Sequence, residues 1–180
     1  LNNIDLYSKM MEVDRMQAIY LILDGDVKAR YKELNNQELI TELRKHKLSQ
    51  KYKTLVDYLL WMNEWLMQHS INDRAFVSQR FAAEKVGINL TTVEYYSIIG
   101  CLLGFWQKAT VVGRKGNTQY KLLTPDREGV QENADRLLPL SARKVKSPEA
   151  LLEAGFSPEV VAGTYARKSK VLRCLTTYSR

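Results

Sequence analysis
The chain has little of what covalent catalysis needs. Its 180 residues include two histidines and two cysteines. His46 and His69 each fall in a charged or amphipathic helical segment, away from any Cys or Ser nucleophile in sequence, and read as exposed helix histidines. Cys101 and Cys174 give neither a disulfide framework nor a zinc spacing; Cys101 reads as helix core, and thiols used this way suit a reducing cytoplasm. No Gly-x4-Gly-Lys phosphate loop occurs. Asp14, Asp26 and Lys28 loosely follow an acid, acid-x-Lys spacing, but they fall on helices and a turn, whereas metal-dependent nucleases hold such acids on strands. The expectation is a binding protein, not an enzyme, with no cofactor and no metal. No apolar run approaches the roughly 18 residues of a membrane span, and no signal peptide is visible in Leu1–Ile22, which carries charges throughout. A first residue other than Met suggests a fragment.

Acidic residues are also missing from one particular place. The net charge is +7, with 45% hydrophobic and 26% charged residues, so the chain is globular. Residues 1–49 carry 8 basic and 8 acidic groups, and residues 50–105 carry 5 and 5. Residues 106–124 carry 4 basic groups and no acid; residues 125–141 carry 2 and 4; residues 142–180 carry 8 and 3. The excess positive charge thus lies after residue 105 and in the C-terminal tail, where a polyanion would bind with an affinity that falls as salt rises.

The most informative stretch is Arg74–Leu123. A short apolar piece, Ala75-Phe76-Val77, is followed by a helix from Ser78, a good N-cap, to about Val86, with Phe81, Ala82 and Val86 on one stripe. Gly87 supplies a positive-φ break. Asn89 caps a second helix that runs to about Leu103, with Val93, Tyr96, Ile99 or Gly100, and Leu103 inward. Gly104 stops it. Two alternating segments, Trp106–Val112 and Thr118–Leu123, flank Gly113-Arg114-Lys115-Gly116-Asn117, a hairpin tip where Gly-Asn meets the need for positive φ.

Helix, tight turn, helix, basic hairpin, with Gly104-Phe105-Trp106 at the exit of the second helix, resembles the winged helix-turn-helix superfamily. The likeness covers about 50 residues, or about 70 with Tyr52–His69 as first helix; small bacterial and plasmid-borne activators and plasmid replication initiators are more loosely similar. It implies a mainly α fold with a small β-hairpin wing, flanked by N-terminal and C-terminal helices, whose second helix enters the major groove of double-stranded DNA.

The flanks divide as follows. Residues 1–48 form a helical N-terminal region (Ile4–Leu23, Val27–Leu34 and Gln37–His46, with breaks at Asp24-Gly25-Asp26 and Asn35-Asn36), suited to a scaffold, a homodimer surface or a partner protein. The winged unit takes 50–124, with Trp61 and Trp65 as core. Residues 125–146 hold an acidic helix, Asp126–Leu138, and a basic linker from Pro139. Residues 147–180 form a basic helical hairpin with two Ser-Pro-Glu starts, at Ser147 and Ser157, and a last helix reaching about Thr176. That hairpin reads as a packing or oligomerisation element, as a second, simpler helix-turn-helix, or as a piece of a longer domain.

Base readers are expected at Asn89, Thr91, Thr92 and Tyr95, facing outward near the start of the second helix. Phosphate ligands are expected at Arg80 and Lys85, at Lys108, Arg114, Lys115 and Lys121 of the hairpin, with Asn117 at its tip, and at Arg167, Lys168 and Lys170 of the tail; Ser78 and Gln79 add neutral hydrogen bonds. Asn89–Phe105 contains no Lys or Arg and one acid, Glu94, which either accepts from a cytosine amine or repels phosphate. The expected function is sequence-specific duplex DNA binding by a cytoplasmic transcription regulator of a bacterium or mobile genetic element. The alternatives are a plasmid or phage replication initiator or partition adaptor on repeated sites, and a winged-helix docking subunit of a larger complex.

Overall fold
The computed structural model describes residues 8–9, 35–70, 74–108 and 117–165. They form a mainly helical fold with one small antiparallel sheet. In chain order these are α1 (residues 35–42), a 3-10 turn (Leu43–Lys45), α2 (Lys47–Lys51), α3 (Leu55–His69), β1 (Arg74–Ser78), α4 (Gln79–Val86), α5 (Leu90–Leu102), β2 (Trp106–Lys108), β3 (Asn117–Leu122), α6 (Arg127–Leu137), α7 (Ala142–Val145), α8 (Pro148–Glu153) and α9 (Pro158–Thr164). The N-terminal helices expected over Ile4–Leu23 and Val27–Leu34, the proposed Asp14, Asp26 and Lys28 spacing, the hairpin tip and the tail after Tyr165 lie outside the described residues.

The local punctuation behaves as its chemistry requires. Ser78 Oγ accepts the Phe81 amide at 3.1 Å, and Asn89 Oδ1 accepts the Thr92 amide at 2.8 Å, so each helix has one free first-turn donor satisfied. Between them Gly87 takes φ 75°, and its amide closes on Ala83 O at 2.9 Å. Asp126 caps α6 through the Gly129 amide, and Ser147 and Ser157 cap α8 and α9, each followed by Pro.

Three expectations need correction. Asn35 and Asn36, expected as a break, are the first described residues of helix α1; Asn36 is fully buried and donates to Leu123 O at 2.8 Å, a tertiary bond across 87 residues. The basic linker contains a helix, α7, capped by Ser141 through the Lys144 amide. The helix that starts at Pro158, the last among the described residues, ends at Thr164, because Tyr165 is extended at φ −115°, ψ 121°.

The sheet order is β1-β3-β2. Ala75-Phe76-Val77 is therefore a strand, with Ala75 opposite Tyr120 and Phe76 opposite Gln119. Trp106 pairs with Leu122 on the other side of β3. Alternation separates the faces: Ala75, Val77, Trp106, Tyr120 and Leu122 point inward, and Arg74, Phe76, Gln107, Gln119 and Lys121 outward.

A single apolar cluster runs from Leu39 to Val161, so the N-terminal helices, the sheet and the C-terminal helices share one core. At its centre is α5, which touches α3, α4, α7, α9 and β2. Two polar ties fasten the flanks. Lys51 Nζ donates to Leu138 O at 2.9 Å and Leu140 O at 2.5 Å just past the end of α6, a favourable place for a cation. Arg127 at the start of α6 bonds Glu42 and Glu38 of α1. No helix among the described residues is long and apolar enough to cross a membrane.

Candidate nucleic-acid interface
The corner between α4 and α5 is the polar end of an otherwise apolar unit. Arg80 and Lys85 of α4 are exposed, as are Asn89, Leu90 and Thr91 at the start of α5; Gln79 is half-buried, and Glu84 is the one acid on α4. Leu90 retains 46% exposure. Ser78 and Asn89 spend their acceptors on the caps. Thr92 is committed too: its hydroxyl donates to Asn89 Oδ1 at 2.8 Å, which leaves it part of the cap and half-buried. Thr91 is the threonine of this turn whose side chain faces solvent.

Beyond that turn the helix is covered. The expectation that Tyr95 faces outward is wrong: it is 8% exposed, and Tyr95 through Leu102 are all buried. The reason is composition. Tyr95-Tyr96-Ser97-Ile98-Ile99-Gly100-Cys101-Leu102 is apolar around its whole circumference apart from Ser97, and such a helix must be packed on every side. The α7–α9 segment supplies the missing side, with α7 and α9, carrying buried Val145 and Val161, packed against α5. Tyr95 meets Tyr52 edge-on, ring centroids 5.6 Å apart, and both hydroxyls are buried without a hydrogen-bond partner among the described residues.

Glu94 is paired within the chain. Its carboxylate takes Lys146 Nζ at 3.0 Å, and the same ammonium lies 5.8 Å from the centroid of the Tyr95 ring. Lys146 thus clasps the start of the C-terminal helices to α5. Lys108, expected as a phosphate ligand, ends β2 opposite Tyr120. The residue is half-buried, and burial holds its ammonium below the usual lysine range, opposed by Cys101 and Glu94 and reinforced by Lys146. Burial likewise pushes the Cys101 thiol up to about 11.

Of the other expected ligands, Lys121 lies on the outer face of the sheet. Asn117 opens β3, opposite Ser78. Arg114 and Lys115, with Arg167, Lys168 and Lys170, fall outside the described residues. His46 is not an exposed helix histidine. Its Nδ1 accepts the Leu48 amide as an N-cap, and its Nε2 stands 2.7 Å from Asp135 Oδ1, tying α2 to α6. His69 is exposed and stacks on Trp65 at 3.6 Å between centroids. Trp61 and Trp65, expected as core, are half-buried and stack along α3 against Phe81.

Sequence reasoning missed two features of this surface. One is the outer face of the sheet, where Arg74 stands directly opposite Lys121 and Phe76 is 50% exposed; the alternation Arg-Ala-Phe-Val-Ser was its signal. The other is the clasp by Lys146, which sits 52 residues from its partner and has no local signal. No family model, curated protein or solved structure matched the chain.

Proposed function
We propose that this chain is a winged helix-turn-helix protein that binds double-stranded DNA, gripping the backbone with the α4–α5 corner and the basic hairpin and reading few bases. The observation that carries the reading is the arrangement of α3, β1, α4, α5, β2 and β3 around a sheet ordered β1-β3-β2, with a Gly87 turn joining two helices at an exposed, mostly cationic corner. Arg80 and Lys85 suit phosphates, and Arg114 and Lys115 supply the hairpin's charge. Base contact falls to Asn89, Leu90 and Thr91, since Tyr95 is covered and Thr92 is held in the cap. A regulator's role on a promoter, or an initiator's on repeated sites, rests on this binding.

The test is salt-dependent binding of the full chain to duplexes of cognate and random sequence. Arg114→Ala with Lys115→Ala is expected to weaken every duplex and to flatten the slope of log K against log salt by roughly two units. An unchanged slope refutes the role of the hairpin. A second reading, a docking subunit, is favoured by the coverage of α5 and by exposed Leu90; a wild-type chain without salt-dependent duplex affinity would select it.

A further inference from the structure
We infer that the outer face of the sheet is a platform for an unpaired nucleotide of single-stranded nucleic acid, with a base stacked on Phe76 and its phosphate held by Arg74 and Lys121. This uses residues outside the α4–α5 corner and stands without the duplex reading.

Two features of this face are not explained by stability alone. Phe76 is a large aromatic left 50% exposed on a strand whose other face is fully packed. Arg74 and Lys121 are cross-strand partners, and like charges placed directly opposite destabilise an antiparallel pair. Neither cation has an ion pair among the described residues, and no acid lies on β1, β2 or β3. An anion between the two cations removes the repulsion. Same-face neighbours along a strand are about 6.8 Å apart, so the cation pair sits one row from the Phe76 ring. Gln119 stands opposite Phe76, and Gln107 stands opposite Lys121 on the far strand. Both carry amides able to donate to and accept from base edges. At the β2 edge α9 closes the face: a β-carbon on Gly163 would lie 3.4 Å from Gln107 Cβ.

The chemistry of this surface is therefore a flat apolar face beside positive charge, flanked by neutral amides. Single strands are recognised by aromatic stacking combined with cations along the backbone, and stacking tolerates any base because every base has a π-face. A duplex hides its bases and offers Phe76 nothing to stack on.

The experiment measures binding of the full chain to an oligothymidylate and, in parallel, to a duplex of equal length. Phe76→Ala should weaken the oligothymidylate roughly 5- to 150-fold and leave the duplex within about twofold. Phe76→Trp should retain single-strand binding. Phe76→Leu keeps apolar bulk but loses the flat π-face, so it should fail like Ala. Arg74→Gln with Lys121→Gln should flatten the single-strand salt slope. Since Phe76 is half-exposed, these variants should melt as the wild type does; Trp and Leu, similar in bulk, separate stacking from folding should Ala unfold. The inference is overturned if the wild type does not bind the oligothymidylate, if Leu binds as well as Phe (the behaviour of a protein-docking patch), or if Phe76→Ala weakens strand and duplex equally. Failure on the oligothymidylate with an intact duplex slope overturns this inference alone.

Discussion

The indole of Trp106 lies against the backbone of Gly100: a β-carbon at Gly100 would stand 2.0 Å from Trp106 Cζ2. The indole N–H donates to Ser97 O at 3.2 Å, and Trp106 is fully buried, so the ring cannot retreat. This contact fixes how α5 meets the sheet. Gly100→Ala is therefore expected to destabilise the fold by about 3 kcal/mol, at the upper end for overpacking. A urea midpoint equal to the wild type's would show that the indole has another place to go.

The clasp between Lys146 and Glu94 is partly exposed, with side chains 34% and 47% accessible. Such pairs are worth little, so a double-mutant cycle of Lys146→Ala and Glu94→Ala should return a coupling of about 0.2–1 kcal/mol, shrinking in high salt. Duplex affinity should stay within about twofold, because Lys146 is occupied with α5. A large fall in affinity at unchanged stability would instead mark Lys146 as a phosphate ligand.

Alkaline pH should weaken the fold through Cys101. Burial raises its folded pKa from 9.0 to about 11. Between those values the unfolded chain has lost the thiol proton and the folded chain has kept it. The contribution is thus fully present below about pH 9 and lost as pH rises through 11, on the order of 3 kcal/mol in total. Lys108 opposes this: its lowered folded pKa means stability rises with pH up to its unfolded value, 10.5. Denaturation curves at rising alkaline pH should fall less steeply for Cys101→Ala than for the wild type. Parallel curves would contradict the assignment.

At the α4–α5 corner, neighbouring residues should behave differently. Asn89→Ala removes a cap and should cost about 1 kcal/mol of stability. Thr91→Ala should leave the melting curve in place and shift preference among duplex sequences. If instead Thr91→Ala weakens cognate and random duplexes alike, Thr91 contacts phosphate and not bases.

What could be read in advance was whatever local chemistry decides. Ser78, Gly87, Asn89 and Asp126 mark their helix ends because each acts within three or four residues. The strand β1 went unread because its partner residues lie 39 to 47 positions away, and three apolar residues look the same in a loop. The basic stretch before Ser147 looked like a linker because its charges masked Val145, although Ser141 was a usable helix signal. Tyr95 was placed outside by a stripe argument that presumes one polar face, and α5 has none after Glu94. The absence of Lys and Arg from that helix was visible, and burial is its physical meaning.

One consequence follows for how this molecule could be shortened or grafted. Because α7 and α9 pack against α5, a chain cut after Leu122 would uncover part of that apolar helix, Tyr95 beneath Lys146 included, as a greasy scar. The α4–α5 pair is not a detachable cassette. Transplanted alone it would seek another apolar surface, and self-association would be mistaken for a property of the native protein.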